Sequence, residues 1–267
     1  MAGGKKSAGK PATEIYELRM YDVAPGRLDD EVARMRTVSI DGAPAEVGGK
    51  PKLKESLFDL HGVARPIGAW TTIGGKRQPM FIYVQRWDSL DQRDAAFPSF
   101  WADPRWRHIR KETDGGTGMV IAMDTFLMRP ASPMFKLPPS SRKGPIGGVH
   151  ELRLQQLVSG DDEPVEAMRA LTEVEFPLVR QLGGEIVGVF QLLIGQNLPS
   201  LVIFYAWPDF ATQQAAWARL DVEPRMLQQR QREQDNYPRG VFATMDQYVL
   251  APVPGWGLPQ PKFGAMP

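Results

Sequence analysis

Cysteine is absent from all 267 residues. That excludes thiol nucleophiles, thiolate metal sites and disulfides together, and it suits a reducing compartment. Histidine occurs only three times, at His61, His108 and His150. With no cysteine and no paired histidine spacing, no metal site is expected. No window approaches the run of about 18 apolar residues that a membrane span needs. The first fourteen residues, MAGGKKSAGKPATE, lack the apolar stretch of a secretory leader, so residues 1–13 are expected to be disordered and the chain cytoplasmic. The formal net charge of +1 gives no field that would recruit nucleic acid or an anionic membrane. Gly-rich phosphate loops and a nucleophile elbow are missing too: GGKRQP lacks the P-loop spacing, and no G-x-G-x-x-G follows a strand.

What the sequence does contain is a repeat. YELRMYDVAPG (16–26) reappears as HELRLQQLVSG (150–160), with Glu17, Leu18 and Arg19 over Glu151, Leu152 and Arg153. IGAWTTIGGKRQPMFIYVQRWDSLDQRDAAF (67–97) then lies without a gap over VGVFQLLIGQNLPSLVIFYAWPDFATQQAAW (187–217). ADPRW (102–106) matches VEPRM (222–226), and AMDTFLMRP (122–130) matches TMDQYVLAP (244–252). A period of 120–134 residues is far too long for a solenoid unit, so each copy is a domain-sized half. The offset drops by 14 between the first two blocks, which places an insertion at about 39–52 in the first half. Residues 129–148 read as a Pro/Gly-rich linker and 251–267 as an irregular tail.

Each half, 14–128 and 149–250, reads as strand, helix, two strands, helix, strand. The helices span 27–38, continued at 53–61, and 162–182. Strand pairs at 66–73 with 79–87, and at 185–194 with 200–207, are joined by turn-type residues. Pro104 and Pro224 are placed to open helices. This is the β-α-β-β-α-β plan of ferredoxin-like folds, in two tandem copies of an α+β chain.

The landmarks YELRMYDVAPGRLDD, GAW, VQRWDSLDQRDAAF, ADPRW and AMDTFLMRP resemble the NIPSNAP family over about 14–130, and again, more diverged, over 150–252. The second copy departs from the pattern at His150, Gln155 and Met226. The family is similar to the dimeric α+β barrel superfamily, in which two ferredoxin-like sheets face each other across a shared lumen. The resemblance implies that both halves build one such barrel within a single chain, and that chains could associate further as homo-oligomers. Superfamily relatives include monooxygenases, isomerases and haem-degrading enzymes, so the resemblance names no reaction. It does raise haem as a cofactor, with His108 as the one candidate ligand; otherwise no cofactor is expected.

Alternation along the first strands puts Glu17, Arg19 and Tyr21 on one face and Tyr16, Leu18 and Met20 on the other. Glu151 and Arg153 share the corresponding face of the second copy. If the apolar set packs on the helices, the charged set enters the lumen, where Trp70, Phe190, Asp124 and Asp246 would join it around a small, partly apolar ligand. Glu17 and Glu151 are then the candidate bases, since a desolvated carboxylate has a raised pKa. Equally, Glu and Arg two apart on one face can pair with each other and only fix registry. Enzyme, binding barrel and non-catalytic scaffold all remain open at this point.

Overall fold

The computed structural model describes residues 14–41, 55–116, 118–132 and 148–256. The N-terminal segment, most of the expected insertion and linker, and the tail beyond 256 lie outside the described residues. The first half runs β1 (Ile15–Val23), α1 (Leu28–Ser39), α2 (Leu57–Leu60), β2 (Pro66–Gly75), β3 (Met80–Trp87), α3 (Leu90–Ala102), α4 (Pro104–Asp114) and β4 (Val120–Pro130). The second runs β5 (Val149–Leu157), α5 (Glu163–Ala170), α6 (Phe176–Gln181), β6 (Glu185–Ile194), β7 (Ser200–Trp207), α7 (Phe210–Asp221), α8 (Pro224–Asn236) and β8 (Phe242–Pro252).

Two details depart from the expected order. The second helical region of each half is a pair of helices: Asp103 ends α3 and caps α4 through its carboxylate, Val222 ends α7 before Glu223 in the N-cap place of α8, and Pro104 and Pro224 stand in the first turn that follows. The helix expected across 162–182 is broken by a π-helical turn at Leu171–Glu175. Pro177 has no N–H to donate, and the turn resets the ladder so that proline falls in the first turn of α6.

All eight strands close into one antiparallel barrel in the order β1-β3-β2-β8-β5-β7-β6-β4. Each half contributes a four-stranded sheet with its first strand inside, and the seams are β2 with β8 and β4 with β6. Equivalent glycines let the seams close. A Cβ on Gly75 (φ 141°) would stand 2.6 Å from the Tyr248 ring, and one on Gly195 would stand 2.4 Å from Phe126.

Three apolar clusters fill the molecule. One draws on both sheets and occupies the lumen: Tyr16, Leu18 and Met20 meet Phe190, Phe204 and Leu250 there. The other two lie outside the barrel, each between one sheet and its own helices. The expected faces are therefore reversed. Tyr16, Leu18 and Met20 point into the lumen, and Glu17, Arg19 and Tyr21 point at the helices, with the Arg19 guanidinium 4.3 Å from the Phe97 ring of α3. An eight-stranded barrel interior is narrow enough for side chains to fill, and the apolar set fills it beside β1 and β5, leaving the four Glu-x-Arg charges to the helix side. The helix layer can bring them partners.

Candidate functional site

The two Glu-x-Arg pairs are the centres of equivalent polar clusters under the helices. Glu17 accepts from Arg19 Nε (2.8 Å), Trp87 Nε1 (3.0 Å) and Arg93 Nε (2.8 Å) of α3. Burial opposes its charge, but Arg93 and Arg19 outweigh burial and hold the carboxyl below its usual range. Glu151 accepts from Arg153 (2.6 Å), Gln213 (2.7 Å), Trp217 (2.8 Å) and Gln247 (2.7 Å). Both oxygens of each carboxylate are taken by protein donors and neither residue lines a cavity described below, so neither fits the role of base. They position the arginines beside them.

The remaining lumen candidates divide. Trp70 and Phe190 do face the lumen, but as fully buried core: Trp70 stacks on Phe204 with centroids 5.1 Å apart, and Phe190 packs on Tyr16 at 4.9 Å. Asp124 and Asp246 sit at one end of the lumen, lining a cavity of about 240 Å³ shared by both halves. Both are ion-paired there, Asp124 with Arg77 and Asp246 with Lys76. The sequence candidates thus occupy four places, one under the helices of each half, one in the lumen core and one at the lumen end, and do not converge.

A cavity of about 210 Å³ lies elsewhere, outside the barrel and under the helices of the first half. Arg19, Tyr21 and Tyr83 form its sheet wall, and Phe58, Phe97, Phe100, Trp101 and Trp106 its aromatic side. Arg19 Nη1 donates to the Tyr21 hydroxyl (3.1 Å), which shares a proton with Tyr83 (2.7 Å). From α1 comes Glu31, fully buried, with Oε2 held by Arg34. Arg34 in turn donates to Asp114 (2.7 Å). The other oxygen, Glu31 Oε1, has no hydrogen-bond partner among the described residues. Burial pushes the Glu31 carboxyl up to about 7 against the pull of Arg34.

The second half shows what this space becomes when it is closed. Glu166 and Arg169 repeat the pair on α5, but Glu166 accepts from Arg169 twice (2.6 and 2.7 Å) and from Gln229 (3.0 Å) of α8. Hydrogen bonding to Arg169, joined by Gln229, outweighs burial and brings its carboxyl down to about 2. Trp217 stands where the first half has Phe97 and covers Arg153 at 3.8 Å. Glu175, carried by the π-helical turn, takes the Tyr205 hydroxyl at 2.5 Å. Gln155 replaces Tyr21 and turns to backbone carbonyls.

No histidine fits a haem ligand at the cleft. His61 is held by Ser99 and Asp103, both at 2.7 Å, and His150 is buried in the lumen with Trp70 Nε1 donating to it at 3.0 Å. His108 lines neither cavity. Among the described residues no cluster of histidine and carboxylate side chains could hold a metal ion, and no helix is long and apolar enough to cross a membrane. The strand motif did not lead to Glu31, Arg34 or Tyr83. A signal for the first two was available: E-x-x-R at 31–34 recurs at 166–169, one residue off the strand register and at the fourth to seventh residues of both α1 and α5.

The family model described as NIPSNAP matches residues 56–133 and 160–255. No curated protein matches the chain. Among solved structures, an anthrone oxidase-like protein is similar over 90% of this chain and 92% of its own, at 12% identity and a TM-score of 0.54. A candidate monooxygenase from Lactobacillus acidophilus NCFM is similar over 90% and 94%, at 10% identity and a TM-score of 0.50. An uncharacterised NIPSNAP-like domain protein from Burkholderia xenovorans covers 49% of this chain and 96% of its own, at 17% identity and a TM-score of 0.33. At such identities the first two show a shared barrel fold and nothing of chemistry.

Proposed function

The chain belongs to the NIPSNAP family, and from that premise we propose that it is a small-molecule-binding barrel whose site is the first-half cleft. The ligand is a small, flat, largely aromatic molecule with one polar group. The observation that carries this reading is the unpartnered Glu31 Oε1, buried in a cavity walled by aromatic rings. A buried oxygen without a partner costs about 1–3 kcal/mol, and more when charged, which a ligand donor would relieve. Pockets of this character, apolar with a few convergent polar groups and a shifted pKa, are the usual form of ligand sites.

The two solved barrels that share this fold are an anthrone oxidase-like protein and a candidate monooxygenase. Those words agree with an aromatic ligand without naming one. The packed lumen favours the alternative of a non-catalytic scaffold, and the cleft is what sets binding ahead of it. Calorimetric titration with 2-naphthol separates the two. The binding reading expects saturable 1:1 binding that is weakened by Phe97→Trp, the substitution that copies Trp217. Absence of binding at millimolar 2-naphthol, or binding indifferent to Phe97→Trp, would return the weight to a scaffold.

A further inference from the structure

Resting on that reading of the cleft, we propose that Glu31 is a proton acceptor toward a bound aromatic ketone, with the Tyr21–Tyr83 hydroxyl pair holding the oxygen on which charge develops. In the step, a C–H bond next to the carbonyl breaks and its proton goes to Glu31 Oε1. The electron pair moves through the adjacent carbon–carbon bond onto the carbonyl oxygen, giving an enolate. Return of a proton to the same carbon exchanges it with solvent, and return to a conjugated carbon isomerises the ligand. No oxidant or second substrate enters the balance.

Three features support the roles. First, Arg34 fixes one oxygen of Glu31, while the other has no partner among the described residues and the residue belongs to the cavity wall. A desolvated carboxylate held in this way keeps its basicity, and burial brings it to about 7, where both of its forms are populated at neutral pH. Second, the hydroxyl pair has two protons, of which one is used between Tyr21 and Tyr83. Arg19 occupies an acceptor position on Tyr21 and brings no further acceptor. One O–H therefore remains to donate to a ligand oxygen, polarised by a guanidinium that Glu17 anchors. Such a donor, set in place before reaction, is how enzymes stabilise a developing oxyanion. Third, the second half has lost these elements together: Gln155 stands for Tyr21, Ile203 stands for Tyr83 and carries no hydroxyl, and Glu166 is saturated.

The charged and titratable groups around Glu31 are Arg34 on α1, Asp114 and Arg110 on α4, Arg19 and Tyr21 on β1, and Tyr83 on β3. Since Glu31 must be ionised to accept a proton, activity should rise with pH through about 7.

The test uses the full chain and 2-tetralone in D2O. Proton NMR follows loss of the α-protons, and saturation-transfer NMR on the same samples reports whether the ketone binds. The expected result is binding with exchange well above the buffer rate, rising with pH to a midpoint near 7. Glu31→Gln should still bind 2-tetralone yet lose about 100-fold of the exchange rate, and Tyr83→Phe should lose about tenfold. The wild-type pH profile needs no variant, so an ill-folded mutant does not remove the test. Binding with exchange only at the buffer rate overturns the proton-acceptor role and leaves the cleft standing. Absence of binding overturns the cleft and this role with it.

Discussion

Glu31 and Glu166 hold the same place on the first helix of their halves, each three residues before an arginine that it pairs with. One carboxylate, in a cavity wall, keeps a buried oxygen without a partner among the described residues, and the other accepts from two side chains through both oxygens. A duplicated fold has therefore kept one half open and locked the other. The replacements are specific: Trp217 for Phe97, Gln229 for Ile109, Gln155 for Tyr21 and Ile203 for Tyr83.

The bare oxygen of Glu31 sets a pH dependence of stability. Its folded pKa, about 7, lies above the ordinary 4.5, so the native state binds more protons and stability falls as pH rises between those values. The loss is on the order of 3 kcal/mol from this group. His150 acts in the opposite sense. Burial lowers it to about 4 from 6.5, so its contribution grows as pH rises through that window and is lost on acidification. The two nearly cancel between pH 4.5 and 6.5. Carboxylates held low, such as Glu17 and Glu166, add a rise at the acid end, so the reading is a difference: Glu31→Gln stability in urea unfolding should climb more steeply with pH than wild type across this window. A Glu31→Gln profile parallel to wild type would refute the raised pKa.

Glu17 is predicted to be structural. Replacing it with Gln leaves Arg19 buried without its counter-charge and Arg93 with only the exposed Asp94, and should cost about 3 kcal/mol in urea unfolding. Near-wild-type stability with lost 2-naphthol binding would instead make Glu17 a ligand group.

Ile109→Gln copies the locked half into the open one. Gln229, its equivalent, donates to Glu166, so a glutamine at 109 is expected to donate to Glu31 and narrow the cleft. Carbon-13 NMR of the Glu31 carboxyl should then titrate below 7, and 2-naphthol affinity should drop by about tenfold or more, the loss expected when one hydrogen-bonding partner is taken. An unchanged titration would show that position 109 does not reach Glu31.

Much of the fold was legible in the repeat. The strands are alike at 16–22 and 150–156, the turns GGKRQP and GQNLPS coincide, and Pro104 and Pro224 open helices as their spacing implies. The site was not legible from alternation. Alternation separates Glu17 and Arg19 from Leu18 and Met20 but does not say which set is inside, and here all four are buried. With a filled barrel on one side and helices on the other, neither face meets water. The deciding fact is which layer can supply partners to a charge, and Arg93 and Gln213 sit on helices remote in sequence. The bare oxygen of Glu31 depends on the absence of a donor from α4, which no local pattern encodes.

The most direct test of the central claim reads the ligand's position from methionine methyl groups. Met35, Met119 and Met123 line the cleft, while Met20, Met80 and Met128 pack in the lumen. In a chain labelled with carbon-13 at its methionine methyls, saturation with 2-naphthol should shift the first three through its ring current and leave the second three in place. Shifts at Met20, Met80 and Met128 instead, or no shift at any methionine, would contradict the assignment of the cleft as the binding site.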